Sequence, residues 1–184
     1  LASCHAELEV FHHACELGNY TQAYDALGRS YDVLYRRGYY QELLPLCQRL
    51  ALEWQPKDIA EQAAWSTATT SLGNLHRSLG KPLQAIDCHQ KSLDIARKIG
   101  NRQIEATCLN NLSSSYYLLG QFQQTIELLQ QSLKIDHETG NRSGEATVLD
   151  NLGSAYANLG QFQQAIEFHQ QSLEIKRELD DSEG

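Results

Sequence analysis

The stretch Leu119-Gly120-Gln121-Phe122-Gln123-Gln124 returns forty residues later as Leu159-Gly160-Gln161-Phe162-Gln163-Gln164. Aligning residues 107–144 with residues 147–184 gives 21 identities in 38 positions. A third, weaker copy begins near Thr67. Because self-similarity at a fixed period of this length is the sequence signature of a repeat architecture, the period indicates the fold class before any local feature does.

Within each copy the apolar residues follow a helical spacing. Leu109, Leu112 and Tyr116 recur at i, i+3 and i+7 and line one face of a helix. Gly120 stands where a helix needs a left-handed C-terminal residue, and a second apolar stripe begins at Phe122. The repeating unit is therefore predicted to be two antiparallel helices joined by a tight glycine turn. We call the helix before the turn the first-type helix and the helix after it the second-type helix. Such units are stable only when they stack.

The register of the repeat predicts an all-α solenoid of antiparallel helix pairs, with about nine helices in a single array. Residues 2–17 are predicted to form a lone second-type helix of a truncated repeat, and residues 20–54 a diverged repeat. Three further repeats are predicted at 58–100, 101–140 and 141–180. The chain contains no Met, even at its first position, so we expect it to be a fragment of a longer protein.

Composition excludes several classes of function. The chain has 15 Lys and Arg against 23 Asp and Glu, and this net charge of -8 argues against a nucleic-acid partner or a basic membrane-surface helix. No apolar run approaches the roughly 20 residues that span a bilayer, so no membrane association is expected. Five Cys with no Cys-x-x-Cys pair favour a reducing compartment, and we expect the cytoplasm.

The motif Leu152-Gly153-x-x-Tyr156, followed by Gly160-x-Phe162-x-x-Ala165-Ile166, resembles the tetratricopeptide repeat (TPR). The resemblance is strongest over 67–184, weaker over 20–54, and only inferred for 2–17. Here the period is 40 rather than 34, and the proline expected near the end of the second helix is absent. These departures resemble the subclass found in Pins/LGN-type polarity scaffolds, kinesin light chains and bacterial regulatory arrays.

The resemblance implies a right-handed superhelix whose first-type helices line a concave groove for a peptide or a partner helix. On each first-type helix one face carries the apolar residues that pack against other helices, and the face beside it is polar. An Asn amide on that polar face can both donate hydrogen bonds to an extended peptide backbone and accept them from it. A polar face that is merely solvated remains the alternative. The predicted partner-binding residues are Asp32, Tyr35, Thr70, Asn74, Arg77, Asn110, Ser114, Tyr117, Asp150, Ser154 and Asn158.

The best candidate for a metal-binding or catalytic site is the N-terminal set Cys4, His5, His12, His13 and Cys15. On a helix, His12 and Cys15 are three residues apart and could share a metal, but His5 lies about two turns away. We therefore interpret the set as part of an amphipathic cap helix. No phosphate loop, nucleophile elbow or carboxylate pair is found, so we expect no catalytic residue, cofactor or metal, and no enzyme.

Three hypotheses about function follow. The first is a non-catalytic protein–protein interaction module that binds a peptide or partner helix in the concave groove. The second is a structural spacer, or an array that associates with itself through its truncated ends. The third is a regulatory or sensor segment of a larger signalling enzyme whose catalytic domain lies outside this chain.

Overall fold

The computed structural model describes residues 2–182, with side chains described over residues 4–180. In that range the backbone forms nine α-helices and no strand. The helices are α1 (Ala2–Glu16), α2 (Tyr20–Arg36), α3 (Tyr40–Glu53), α4 (Ile59–Ser78), α5 (Pro82–Lys98), α6 (Arg102–Leu118), α7 (Phe122–Thr139), α8 (Arg142–Asn158) and α9 (Phe162–Ser182). The chain is thus an all-α helical repeat protein, as the forty-residue period predicts.

The helices group into two compact units, which we call unit 1 (Leu1–Ile99, α1 to α5) and unit 2 (Gly100–Gly184, α6 to α9). In unit 1 each helix packs against its successor, and α2 also contacts α4. In unit 2, α6 packs against α7, α7 against α8, and α8 against α9. This nearest-neighbour pattern is that of a solenoid, in which each helix buries its apolar stripe against the helices beside it. The division into individual repeats stays a prediction.

The repeated Gly-Asn joint ends one helix and begins the next. Gly140 has φ 68°, in the left-handed region that a glycine adopts without steric cost. The Asn141 side chain then accepts a hydrogen bond from the backbone N–H of Gly144 at 3.1 Å and caps α8. Asn19 and Asn101 cap α2 and α6 in the same way.

On the second-type helices α5, α7 and α9, a serine donates a hydrogen bond to the preceding first-type helix. The Ser132 hydroxyl reaches the carbonyl oxygen of Ala106 at 2.9 Å, and Ser172 reaches that of Ala146 at 2.7 Å. In unit 1, Ser92 makes the equivalent bond to Ser66, also at 2.7 Å. All three serines are buried, so each bond replaces solvation that the serine and the carbonyl lose. The forty-residue period therefore repeats a bond as well as a sequence.

A buried glycine–histidine pair joins α4 to α5. His89 on α5 is fully buried against Gly73 on α4, where an added Cβ would lie 2.5 Å from the imidazole Cε1. Neither ring nitrogen of His89 has a hydrogen-bond partner among the described residues, and burial lowers the pKa of His89 to about 3. Forty residues further on, Leu129 occupies the position of His89 and Ser113 that of Gly73. Histidine is thus paired with glycine and leucine with serine at equivalent positions of the repeat.

An arginine at the start of each first-type helix of unit 2 bridges two glutamates. Arg102 contacts Glu105 at 2.8 Å and Glu138 on α7 at 2.6 Å. Arg142 bridges Glu145 and, at 2.6 Å, Glu178 on α9. These bridges join the start of a first-type helix to the end of its second-type partner.

Candidate partner-binding face

All of the predicted binding residues except Thr70 lie along the solvent side of the first-type helices. We call the exposed sides of α2 and α4, in unit 1, and of α6 and α8, in unit 2, the first-helix face of each unit. The unit 1 face carries Asp32, Tyr35, Asn74 and Arg77. The unit 2 face carries Asn110, Ser114, Tyr117, Asp150, Ser154 and Asn158.

In unit 1, tyrosines of α2 reach across to α4. The hydroxyls of Tyr35 and Ser78 lie 2.7 Å apart, and the Tyr31 hydroxyl donates to the carbonyl oxygen of Ser71 at 3.1 Å. The two tyrosine rings stack with centroids 5.6 Å apart. Burial raises the pKa of Tyr31 well above its ordinary value, so this hydroxyl stays protonated and able to donate.

In unit 2, asparagines make the corresponding links. The Asn158 amide on α8 donates to the Tyr117 hydroxyl on α6 at 2.7 Å. The Asn151 amide on α8 donates to the side-chain oxygen of Asn110 at 2.9 Å. Tyr117, Asn110 and Asn158 therefore hold neighbouring first-type helices together, and so does Tyr35 in unit 1.

Three predicted residues are less available than the helical spacing suggests. Thr70 is buried, and its hydroxyl lies 2.7 Å from the Ser92 hydroxyl on α5, so it packs between helices and does not face solvent. Asn74 and Arg77 are half-buried. The side-chain oxygen of Asn74 and the Nε of Arg77 have no hydrogen-bond partner among the described residues.

Other predicted residues have local partners but remain accessible. The Asp150 carboxylate lies 2.8 Å from Nδ1 of His169 and 3.8 Å from Nζ of Lys176, both on α9. The hydroxyls of Ser114 and Ser154 donate back to carbonyl oxygens one turn earlier in their own helices. Asp32 is exposed and makes no ion pair among the described residues.

One element of the site was missed by the sequence reasoning. Unit 1 contains a pocket of about 230 Å³ between α2 and α4, with its floor on α3. Its lining includes Leu27, Gly28, Tyr31, Cys47 and Ala68. The sequence feature that could have indicated this pocket is Gly28, a glycine in the middle of α2 where the equivalent residue of α6 is an asparagine.

The N-terminal Cys and His residues do not form a site. Cys4 and Cys15 are buried in the core of unit 1, and burial raises the pKa of the Cys15 thiol. His5 is exposed and lies 3.3 Å from Glu9 on its own helix. Within the described part of the chain, no group of three or more His, Cys, Asp or Glu side chains could hold a metal ion.

The repeated helix pairs define the chain as an all-α helical repeat protein. Comparison with known proteins then gives the family: the tetratricopeptide repeat model matches residues 66–138 and 113–178. The chain belongs to the tetratricopeptide repeat family, whose members are generally protein–protein interaction modules. No curated protein sequence matches the chain.

Solved structures share this fold at low sequence identity. The apo form of RapI has a TM-score of 0.74 and 14% identity, covering 97% of this chain and 72% of that one. BtubC (BKLC) from P. vanneervenii has a TM-score of 0.64 and 15% identity, covering 97% and 91%. The TPR domain of Arabidopsis FLU has a TM-score of 0.58 and 16% identity, covering 63% and 95%. Among the helices of residues 2–182, none combines the length and apolar composition needed to cross a bilayer.

Proposed function

We propose that this chain is a non-catalytic binding module that holds an extended peptide or a partner helix on its first-helix faces. The observation that carries the proposal is the unused hydrogen-bonding capacity of Asn110 and Asn158. Asn110 uses only its oxygen toward Asn151, which leaves its two N–H donors, whereas Asn158 uses its amide nitrogen and keeps its oxygen. Donors on α6 and an acceptor on α8 match the alternating groups of a peptide backbone.

Selection of binders from a random peptide library displayed on phage, followed by affinity measurement on synthetic copies, tests this proposal. Asn158→Glu places a charge at an exposed position of the unit 2 face, and Asp32→Lys reverses one on the unit 1 face. Selected peptides are expected to lose at least tenfold in affinity for one variant or the other. Matched controls are Gln130→Glu and Asp94→Lys, at exposed positions of the second-type helices α7 and α5.

Helical content by circular dichroism should be the same in all four variants because each changed side chain is exposed. If the control substitutions weaken binding as much as those on the first-helix faces, the peptides bind elsewhere and the proposal is wrong. The same holds if no peptide is enriched over unrelated protein.

A second candidate function, self-association, is favoured by one observation on α9. Phe162, Ile166 and Leu173 are exposed on this helix. The counterpart of Ile166 on α7, Ile126, is buried with residues of α8 such as Leu152. If this stripe makes contacts between copies, Ile166→Glu should lower the weight-average mass in sedimentation equilibrium. A wild-type chain that stays monomeric at all concentrations would exclude this role.

We also propose that the chain works in a reducing compartment, the cytoplasm. All five cysteines are buried and none forms a disulfide, which suits packing better than disulfide formation. A regulatory role beside a catalytic domain outside this chain is compatible with the same binding function.

A further inference from the structure

Gly28 differs from the other glycines that lie inside helices. At Gly73, Gly144 and Gly153, an added Cβ would lie less than 3.0 Å from a neighbouring side chain, so that side chain would have to move to admit any other residue. At Gly28 no atom lies within 4 Å of an added Cβ, and its φ is not in the left-handed region. Glycine is a poor residue for a helix interior, and neither sterics nor backbone conformation explains it here.

The space left by Gly28 is the mouth of the unit 1 pocket. In unit 2 the equivalent residue, Asn110, bonds to Asn151 on α8 and lines a pocket of about 230 Å³ whose lining is more polar, with Ser132 and Asp136. The neighbouring link is the same in both units, because Tyr35–Ser78 corresponds to Tyr117–Asn158. The pocket of unit 1 therefore differs from that of unit 2 by an apolar base and by the absence of the Asn side chain.

The chemistry of the pocket fits an apolar side chain. Leu27, Cys47 and Ala68 are buried at its base, and Tyr24 and Tyr31 stand at its sides. Its volume is about 230 Å³, and a cavity of about 150 Å³ is known to accept benzene. A side chain the size of Leu or Phe can therefore enter.

Two carboxylates flank the mouth on the same face of α2. Asp25 and Asp32 are exposed at i−3 and i+4 from Gly28, about 4.5 and 6 Å away along the helix axis. Neither forms an ion pair among the described residues, whereas nearby Arg29 is engaged by Glu7 at 2.7 Å. A cation at either side of an apolar anchor would therefore meet a carboxylate that is not engaged in an ion pair among the described residues.

We propose that the pocket beside Gly28 binds a large apolar side chain of a partner peptide whose neighbouring residues are Lys or Arg. This inference rests on the proposed function and specifies the ligand of the unit 1 face. Residues of an extended peptide are about 3.4 Å apart, so basic residues one or two positions from the anchor reach Asp25 and Asp32.

The test uses ¹⁵N-labelled full chain and three acetylated tripeptide amides, Lys-Leu-Lys, Lys-Ser-Lys and Glu-Leu-Glu, titrated to millimolar concentration. Lys-Leu-Lys is expected to shift the backbone amide resonances of Gly28, Tyr31 and Ser71, and to bind at least tenfold more tightly than either other peptide. Raising the salt from about 50 to about 500 mM should weaken binding several-fold, because exposed charges contribute to it.

Gly28→Asn, which copies Asn110, is expected to reduce the affinity for Lys-Leu-Lys at least tenfold. Gly28→Ala serves as the folding control, since its Cβ meets no neighbour and should leave the spectrum of α2 dispersed. Asp25→Asn combined with Asp32→Asn should make Lys-Leu-Lys and its uncharged analogue Ser-Leu-Ser bind alike.

The inference is overturned if Lys-Ser-Lys binds as well as Lys-Leu-Lys, if Gly28→Asn leaves the affinity unchanged, or if the shifts fall outside α2, α3 and α4. Its failure is distinguishable from that of the proposed function. Library peptides that bind in an Asn158-dependent manner would keep the proposed function while the tripeptide result rejects the pocket.

Discussion

The contact between Gly73 and His89 predicts a strong coupling between two substitutions. In Gly73→Ser the new Cβ would lie 2.5 Å from Cε1 and 2.7 Å from Nδ1 of His89. The imidazole is fully buried and cannot swing into solvent, so the overpacking should lower the free energy of unfolding by about 1–3 kcal/mol. This outweighs the gain of about 0.5 kcal/mol expected from replacing a helix-interior glycine with serine.

The double variant Gly73→Ser/His89→Leu reproduces the Ser113–Leu129 pair of unit 2. In the His89→Leu background the flexible leucine should accept the serine, so the cost of Gly73→Ser should fall to within about 0.5 kcal/mol of zero. The coupling energy is then about 1–3 kcal/mol. Urea unfolding of the four proteins at pH 7.5, followed by circular dichroism at 222 nm, measures the cycle.

Gly153→Ser is the matched control. An added Cβ there would lie 2.7 Å from Nε2 of His169, but this ring is 43% exposed and can move outward. The expected loss of stability is below about 1 kcal/mol. If Gly73→Ser costs the same with His89 as with Leu at position 89, the ring contact does not determine the requirement for glycine and the packing argument is refuted.

The remaining predictions concern single sites. In the folded chain the pKa of His89 is about 3, whereas its ordinary value is 6.5. As the pH drops through 6.5, the imidazole therefore takes up a proton in the unfolded chain but not in the folded one, and the free energy of unfolding falls. The loss at pH 5 should be about 2 kcal/mol relative to pH 8, and in pH-dependent urea unfolding it should be absent from His89→Leu. Ser132→Ala removes a buried donor to the Ala106 carbonyl and should cost about 1–3 kcal/mol by the same assay; a change below 0.3 kcal/mol would contradict this role. Gly28→Ala should raise stability by up to about 1 kcal/mol, in contrast with Gly73→Ala, which should lower it.

The all-α repeat fold and its family could be predicted from the sequence because both follow from periodicity. A forty-residue echo with helical spacing fixes which residues share a face, and Gly140 followed by Asn141 marks the joint between helices through backbone conformation and capping. These are local signals that require no knowledge of tertiary contacts.

The availability of individual side chains on the first-helix face was harder to predict, because it depends on the next helix. Thr70 has the helical spacing of an exposed residue, yet α5 covers it and Ser92 bonds to it. Tyr117 and Asn158 are accessible but bonded to each other. Helical spacing places a residue on a face, whereas burial and bonding are properties of the neighbouring helix.

Departures from the repeat are of two kinds, and the difference bears on function. The change from His89 to Leu129 is accompanied by the change from Gly73 to Ser113, and the close contact between the His89 ring and Gly73 explains this pairing by packing. At Gly28, by contrast, no atom lies within 4 Å of an added Cβ. The structure around it leaves the volume of the missing side chain open to solvent, and the helix loses stability without any gain in packing. Because sequences that specify one structure are locally consistent, an uncompensated break of this kind marks a place where binding, not folding, accounts for the residue.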